Sequence, residues 1–197
     1  MKRLCKNVLL AALLLGTAAP VRAEFRPEVD YSARMIEAAQ AGELGRGRTA
    51  QRERDEKITA LGLDYKSVSF DELLLLSRLI CVEAGSSWLD EHWKMAVGEV
   101  VLNRVASPEF PDTLQEVIAQ PGQYHGPTEE YLDHISPDRA SVYAALKLLS
   151  GERVLNNPAV VFQSNAILGG GVFLELRDER LGSTYLCYSS RMELYET

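Results

Sequence analysis

The chain has 197 residues, 46% of them hydrophobic and 25% charged, with 28 acidic against 21 basic side chains and a formal charge of −7. That is enough apolar material for one core of ordinary size. A field of this sign repels phosphate backbones and excludes nucleic acid as a partner.

The first residues, MKRLCKNVLLAALLLGTAAPVRAEF, combine a basic start (Lys2, Arg3, Lys6), an apolar stretch from Val8 to Leu15, and small residues before a cut after Ala23. This is the three-part pattern of a secretory signal peptide, residues 1–23. A retained membrane anchor is the alternative reading, but the apolar run falls short of the ~20 residues a spanning helix needs. The mature chain is expected to begin near Glu24, to be secreted and extracytoplasmic, and to carry a charge of −11, because Lys2, Arg3, Lys6 and Arg22 leave with the signal. Cys5 leaves as well. Cys81 and Cys187 then form either one disulfide, which export permits, or two free thiols.

Residues 24–68 are charged and alanine-rich. Tyr31, Met35 and Ala38 recur at helical spacing, and Gly42, Gly45 and Gly47 separate two helix-prone pieces. The segment reads as a helical hairpin, a charged helical stalk or a solvated linker, and any protein partner it serves is unknown.

From residue 69 to 197 the signals sharpen. Ser69, with Glu72 three residues on, makes a capping box that predicts a helix from Phe70 to about Ala84. A second helix is expected from Leu89 or Asp90 to Val105, with Leu89, Trp93, Ala96, Val97, Val100 and Val101 on one stripe. SPEFP breaks it. Asp112 is expected to cap a short helix over TLQEVIAQ, stopped by Pro121 and Gly122. In SPDRASVYAALKLLSG, Ser136 reads as N-cap, Pro137 as the first helical position and Gly151 as the stop. Beyond it AVVFQS, GVFLEL and TYLCY are β-branched or aromatic runs separated by glycines, which predicts a small sheet or hairpin. The fold class is therefore mainly α, with a small C-terminal β-element.

One carboxylate stands out. Glu83 falls one turn beyond Leu79 and Ile80 and two beyond Leu76, on the packed face of its helix and away from Asp71 and Arg78. It also sits in the last turn, where the helix dipole is negative, and apolar neighbours withhold water. Both effects favour keeping its proton, which suits a general acid of the kind glycoside hydrolysis requires. The structural alternative is a buried Glu83 paired with Arg104, which falls in the apolar stripe of the second helix.

The ordered set ICVEAGSSW, VGEVVLNRVASPEFPDTLQEVI, QPGQY and VVFQSN followed by YLCY resembles the cell wall hydrolase family of the spore cortex-lytic type, over residues 69–190. The resemblance implies a lysozyme-like, mostly helical domain that acts on the glycan strands of peptidoglycan as a lytic transglycosylase or muramidase, with one glutamate and no cofactor. That glutamate matches Glu83. It would protonate the oxygen between N-acetylmuramic acid and N-acetylglucosamine, then act as base while the 6-hydroxyl of the sugar closes on the anomeric carbon.

A two-carboxylate hydrolase would need a partner roughly 5 to 9.5 Å away, and Glu99, Asp90 and Glu91 are the candidates. Glu99 shares a helix edge with His92 and Asn103, a row that reads first as structural. QPGQY is expected to form a turn beside the cleft, with Gln123 and Tyr124 offering an amide and a ring to the sugar. Phe162, Gln163, Asn165 and Tyr185 complete the expected substrate-binding set, because sugar subsites combine aromatic faces with planar amides. The chain departs from the family where GSSW replaces a second acidic residue and Thr184 replaces a histidine.

Three other readings compete. His92, His125 and His134 invite a zinc peptidase or amidase, although no H-E-x-x-H is present and no metal is expected. A thiol peptidase built on Cys81 or Cys187 would need an activated thiolate, unlike a cysteine among leucines. A non-catalytic peptidoglycan-binding or assembly module would hold glycan without cutting it.

Overall fold

The computed structural model describes residues 27–63, 66–121, 124 and 129–196 and, of residues 27–30, 129 and 130, the backbone alone. The expected signal peptide, Gln123 and His125 lie outside the described residues.

Helices α1 (Pro27–Ala41) and α2 (Leu44–Ala60) pack side by side as a hairpin. Gly42, at φ +68°, makes the reversal, and two hydrogen bonds run back into α1, from Glu43 N to the Ala38 carbonyl (2.8 Å) and from Gly42 N to the Ala39 carbonyl (3.2 Å). Met35, Ala38, Ala39 and Ala50 are fully buried in the same core as the helices that follow. Over residues 27–63 the structure shows two helices packed as a hairpin. Gly47 makes the close packing possible, since a Cβ there would stand 2.0 Å from the Phe70 ring. Arg54, wholly buried, ties α2 to the next segment by donating to the Val68 carbonyl (2.9 Å) and Ser67 Oγ (3.1 Å) beside Asp55 (3.0 Å).

Helix α3 (Phe70–Ala84) starts at Ser69, whose hydroxyl accepts from Glu72 N at 3.5 Å, and α4 (Glu91–Ala106) starts at Asp90, which accepts from Trp93 N at 2.8 Å. Short helices α5 (Leu114–Ile118) and α6 (Glu129–Asp133) precede α7 (Arg139–Leu149). Two caps differ from expectation. Thr113, not Asp112, caps α5, because the T-x-x-E run Thr113 to Glu116 forms its own box. Asp138, not Ser136, caps α7; its carboxylate accepts from Ser141 N (3.0 Å) and Ser141 Oγ (2.6 Å), so Pro137 lies before the helix.

Strands β1 (Val160–Ser164), β2 (Val172–Asp178) and β3 (Gly182–Tyr188) form an antiparallel sheet in the order β1-β3-β2. The chain is mainly helical with a small C-terminal sheet, as its sequence leads one to expect. No helix of the described residues is long and apolar enough to cross a membrane.

Helix α4 stands between two apolar clusters. Met95 and Val101 join α3 and α7, while Trp93, Ala96, Val97 and Val100 meet Leu176 and Leu186 of the sheet. Gly98 lets α3 and α7 approach, since a Cβ would come within 2.7 Å of Ile80 and 2.6 Å of Leu148. A helix buried on both sides buries its polar residues too: Lys94, Glu99, Asn103 and Arg104 are each no more than 7% exposed. Each needs a partner, because an unpaired buried polar group costs about 1 to 3 kcal/mol.

Candidate active site

Those partners define the surroundings of Glu83. The Lys94 ammonium reaches back from the first turn of α4 to the Ala84 carbonyl at the end of α3, with the Ser86 carbonyl at 3.4 Å. A cation thus meets the negative end of the α3 dipole one residue from Glu83. Residue type gives no sign of this ammonium's role, because Lys94 sits inside an otherwise apolar stripe and its partners are main-chain carbonyls at the end of α3 and in the loop after it.

Glu99 has a different occupation. One carboxylate oxygen accepts from Val154 N (2.6 Å) and Leu155 N (2.9 Å), and the other from Asn156 N (3.0 Å). One turn on, Asn103 donates to the Asn157 and Val160 carbonyls at 2.9 and 3.0 Å. These two side chains fix the loop that delivers β1, including Asn156 in its left-handed conformation at φ +51°. Of the polar row on α4, Glu99 and Asn103 thus hold this loop, while His92 is exposed. Of the other acids offered as a second carboxylate, Asp90 caps α4 and Glu91 pairs with Lys147.

Arg104 is 3% exposed and donates from Nε to the Val161 carbonyl at 2.6 Å. Its guanidinium lies 5.1, 5.2 and 5.7 Å from the ring centres of Phe110, Tyr124 and Phe162. Ring faces take the place of the carboxylate that a buried arginine ordinarily recruits. Among the described residues its Nη1 and the Tyr124 hydroxyl are buried with no hydrogen-bond partner. Tyr124 as a residue is only half-buried, but its hydroxyl end is enclosed. Burial pushes that phenol up to about 12; the charge of Arg104 pulls it down, and the charge of Glu83 pushes it further up.

Glu83 is half-buried, and Gln163 Nε2 of β1 donates to its Oε2 at 3.5 Å. Of the expected set, the structure therefore brings Tyr124 and Phe162 against Arg104 and Gln163 against Glu83, whose charge also reaches Tyr124. Asn165 lies beyond β1 in an exposed turn, where its Oδ1 accepts from Ser164 Oγ at 3.4 Å. Tyr185 registers against Ser164 and Glu175, whereas Gln163 registers against Leu186. Alternation along the strand thus places Tyr185 on the sheet face opposite Gln163. Phe110 and Arg104 are members of the cluster that were not in the expected substrate set, although SPEFP and LNRV marked their segments.

Cys81 and Cys187 are free thiols; burial pushes the Cys81 thiol up, and Cys187 is fully buried. Neither has the exposed, activated character of a nucleophile. Among the described residues no three His, Cys, Asp or Glu side chains gather as a metal site. A hollow of about 650 Å³ lies along α2, lined from Arg48 to Ala60 and away from Glu83; its walls come from one helix, so it is an open face.

Residues 90–170 match the family model described as Cell Wall Hydrolase. Over this stretch, 81 of the chain's 197 residues, the chain is similar to that family. Glu99, Arg104, Tyr124, Phe162, Gln163 and Asn165 fall within it, and Glu83 lies seven residues before it. The chain is also similar to a protein named spore cortex-lytic enzyme of Halalkalibacterium halodurans, 26% identical over 133 residues, which are 67% of this chain and 38% of that protein. The chain spans less than two-fifths of that relative. No solved structure matches it.

Proposed function

We propose that the protein cleaves the glycan strands of peptidoglycan between N-acetylmuramic acid and N-acetylglucosamine, as a lytic transglycosylase with Glu83 as its one acid and base. The observation that carries this is the placing of Glu83: a half-buried carboxylate at the end of α3, beside the amide of Gln163 and within the electrostatic reach of Tyr124. The engagement of Glu99, Asp90 and Glu91 elsewhere supports a mechanism without a second carboxylate.

In this mechanism Glu83 gives its proton to the bridging oxygen as the bond from that oxygen to the anomeric carbon breaks. Positive charge then develops on the muramic acid ring. The resulting carboxylate takes the proton of that sugar's 6-hydroxyl as its oxygen closes on the anomeric carbon. The product is an anhydro ring, no water is consumed, and Glu83 is reprotonated for the next cycle. Gln163 and Tyr124 orient the carboxyl and the sugar. Asn165, Tyr185 and Gln123 are proposed contacts further along the strand.

The same reading holds that residues 1–23 direct export, that the helices of the 24–68 segment pack onto a lysozyme-like domain over 69–197, and that the enzyme works outside the cytoplasm. Mass spectrometry of fragments released from purified sacculi tests the function. Anhydro-muramyl ends are expected. Reducing muramic acid ends would replace the transglycosylase by a hydrolase, and cut peptide bonds alone would overturn the glycosidase reading.

A further inference from the structure

Between the buried residues Ala84 and Leu89, the loop that leaves α3 turns outward, and it carries Trp88 with 48% of its surface exposed. The chain has two tryptophans; Trp93, one turn into α4, is in the core. An open indole offers a broad apolar ring face to whatever lies against it.

Trp88 is not loose. The Arg180 guanidinium lies 4.6 Å from its ring centre, a stacking that holds one face. Arg180 belongs to the turn between β2 and β3, which is organised by Asp178: its Oδ1 accepts from Arg180 N at 2.9 Å and Leu181 N at 3.0 Å. The Trp88 side chain adds a hydrogen bond of its own to those that keep the Asp178 carboxyl below its usual range. The loop after the candidate acid and the tip of the sheet are thus joined through one fixed indole.

A sugar ring presents a face of C–H groups with hydroxyls around its rim. The C–H face suits the negative face of an aromatic ring, and the hydroxyls suit charged groups at its edge. Trp88 offers the ring, and Arg180 and Asp178 offer a donor and an acceptor beside it. Trp88 is five residues from Glu83, at most ~17 Å along the chain, so a glycan strand reaching one residue can extend to the other.

Resting on the glycan-cleaving reading above, we infer that Trp88, held by Arg180 and Asp178, is a stacking subsite for an N-acetylated sugar of the strand that Glu83 cuts.

The test is calorimetric titration of the full chain carrying Glu83→Gln, which removes turnover, with the N-acetylglucosamine tetrasaccharide. Adding Trp88→Ala is expected to weaken binding about tenfold, which equals about 1.4 kcal/mol, and Trp88→Phe to recover most of it. Saturable change in tryptophan emission should accompany binding and vanish in Trp88→Ala, where Trp93 remains. Unchanged affinity in Trp88→Ala, or no saturable binding by the Glu83→Gln chain, overturns the subsite. Release of glycan fragments from sacculi by the unsubstituted protein is scored separately. Failure there defeats the glycan-cleaving reading, while the titration still decides whether Trp88 holds a sugar.

Discussion

The Gln163 amide reaches Glu83 Oε2 across 3.5 Å, at the outer edge of hydrogen bonding, and so joins the first strand of the sheet to the last turn of α3, eighty residues away in sequence. The contact exists because α4 holds both elements. Lys94 grips the end of α3, and Glu99 and Asn103 fix the loop that leads into β1.

Replacing Gln163 by alanine tests what the contact does. The side chain is on a strand whose burial rests on its neighbours Val160 and Val161, so the fold should persist. Loss of one orienting hydrogen bond, about 1.4 kcal/mol, should lower kcat/KM on glycan strands roughly tenfold. Unchanged kinetics on soluble strands would remove Gln163 from the site.

Glu99 should behave as a structural residue. Glu99→Ala leaves three backbone N–H groups at Val154, Leu155 and Asn156 without their acceptor, which should cost about 3 kcal/mol or more. Urea denaturation measures the loss. If the variant instead keeps its stability and loses turnover, Glu99 is a catalytic carboxylate and the one-acid mechanism is wrong.

Tyr124 gives a pH signature. Its phenol is raised to about 12 in the folded chain, against about 10 when unfolded, so between these values the folded state holds a proton that the unfolded state has released. The stability this proton represents is complete below pH 10 and is lost as pH rises towards 12, by about 1.4 kcal/mol per pH unit. Spectrophotometric titration should show Tyr124 ionising late, alongside Tyr195, whose phenol burial also raises, and Tyr124→Phe should remove its share of the late step. A Tyr124 that ionises near pH 10 would mean that its hydroxyl is open to solvent.

The parts of this arrangement legible in the sequence are those whose physics is local. Ser69 caps α3 because its hydroxyl and the Glu72 N–H it accepts from lie within four residues, and Glu83 follows from helical spacing. The α7 cap was displaced because Ser136, Pro137 and Asp138 all favour a helix start, and only the bond from Ser141 N to Asp138 decides among them. Lys94 and Glu99 were illegible as anchors because their partners are main-chain groups on other elements, which have no signature in residue type. Phe162 and Gln163 were found through the resemblance, whereas the joining of Trp88 to Arg180 needed the fold to bring residues 92 positions apart into contact.

The most direct measurement is the turnover of purified glycan strands by Glu83→Gln, together with its affinity for them. Glutamine keeps the shape and cannot give up a proton, so kcat should fall by about 10² to 10⁴ while binding stays within a few-fold. A variant that cuts strands at the normal rate would contradict the account, since no other group here has been given the proton to transfer.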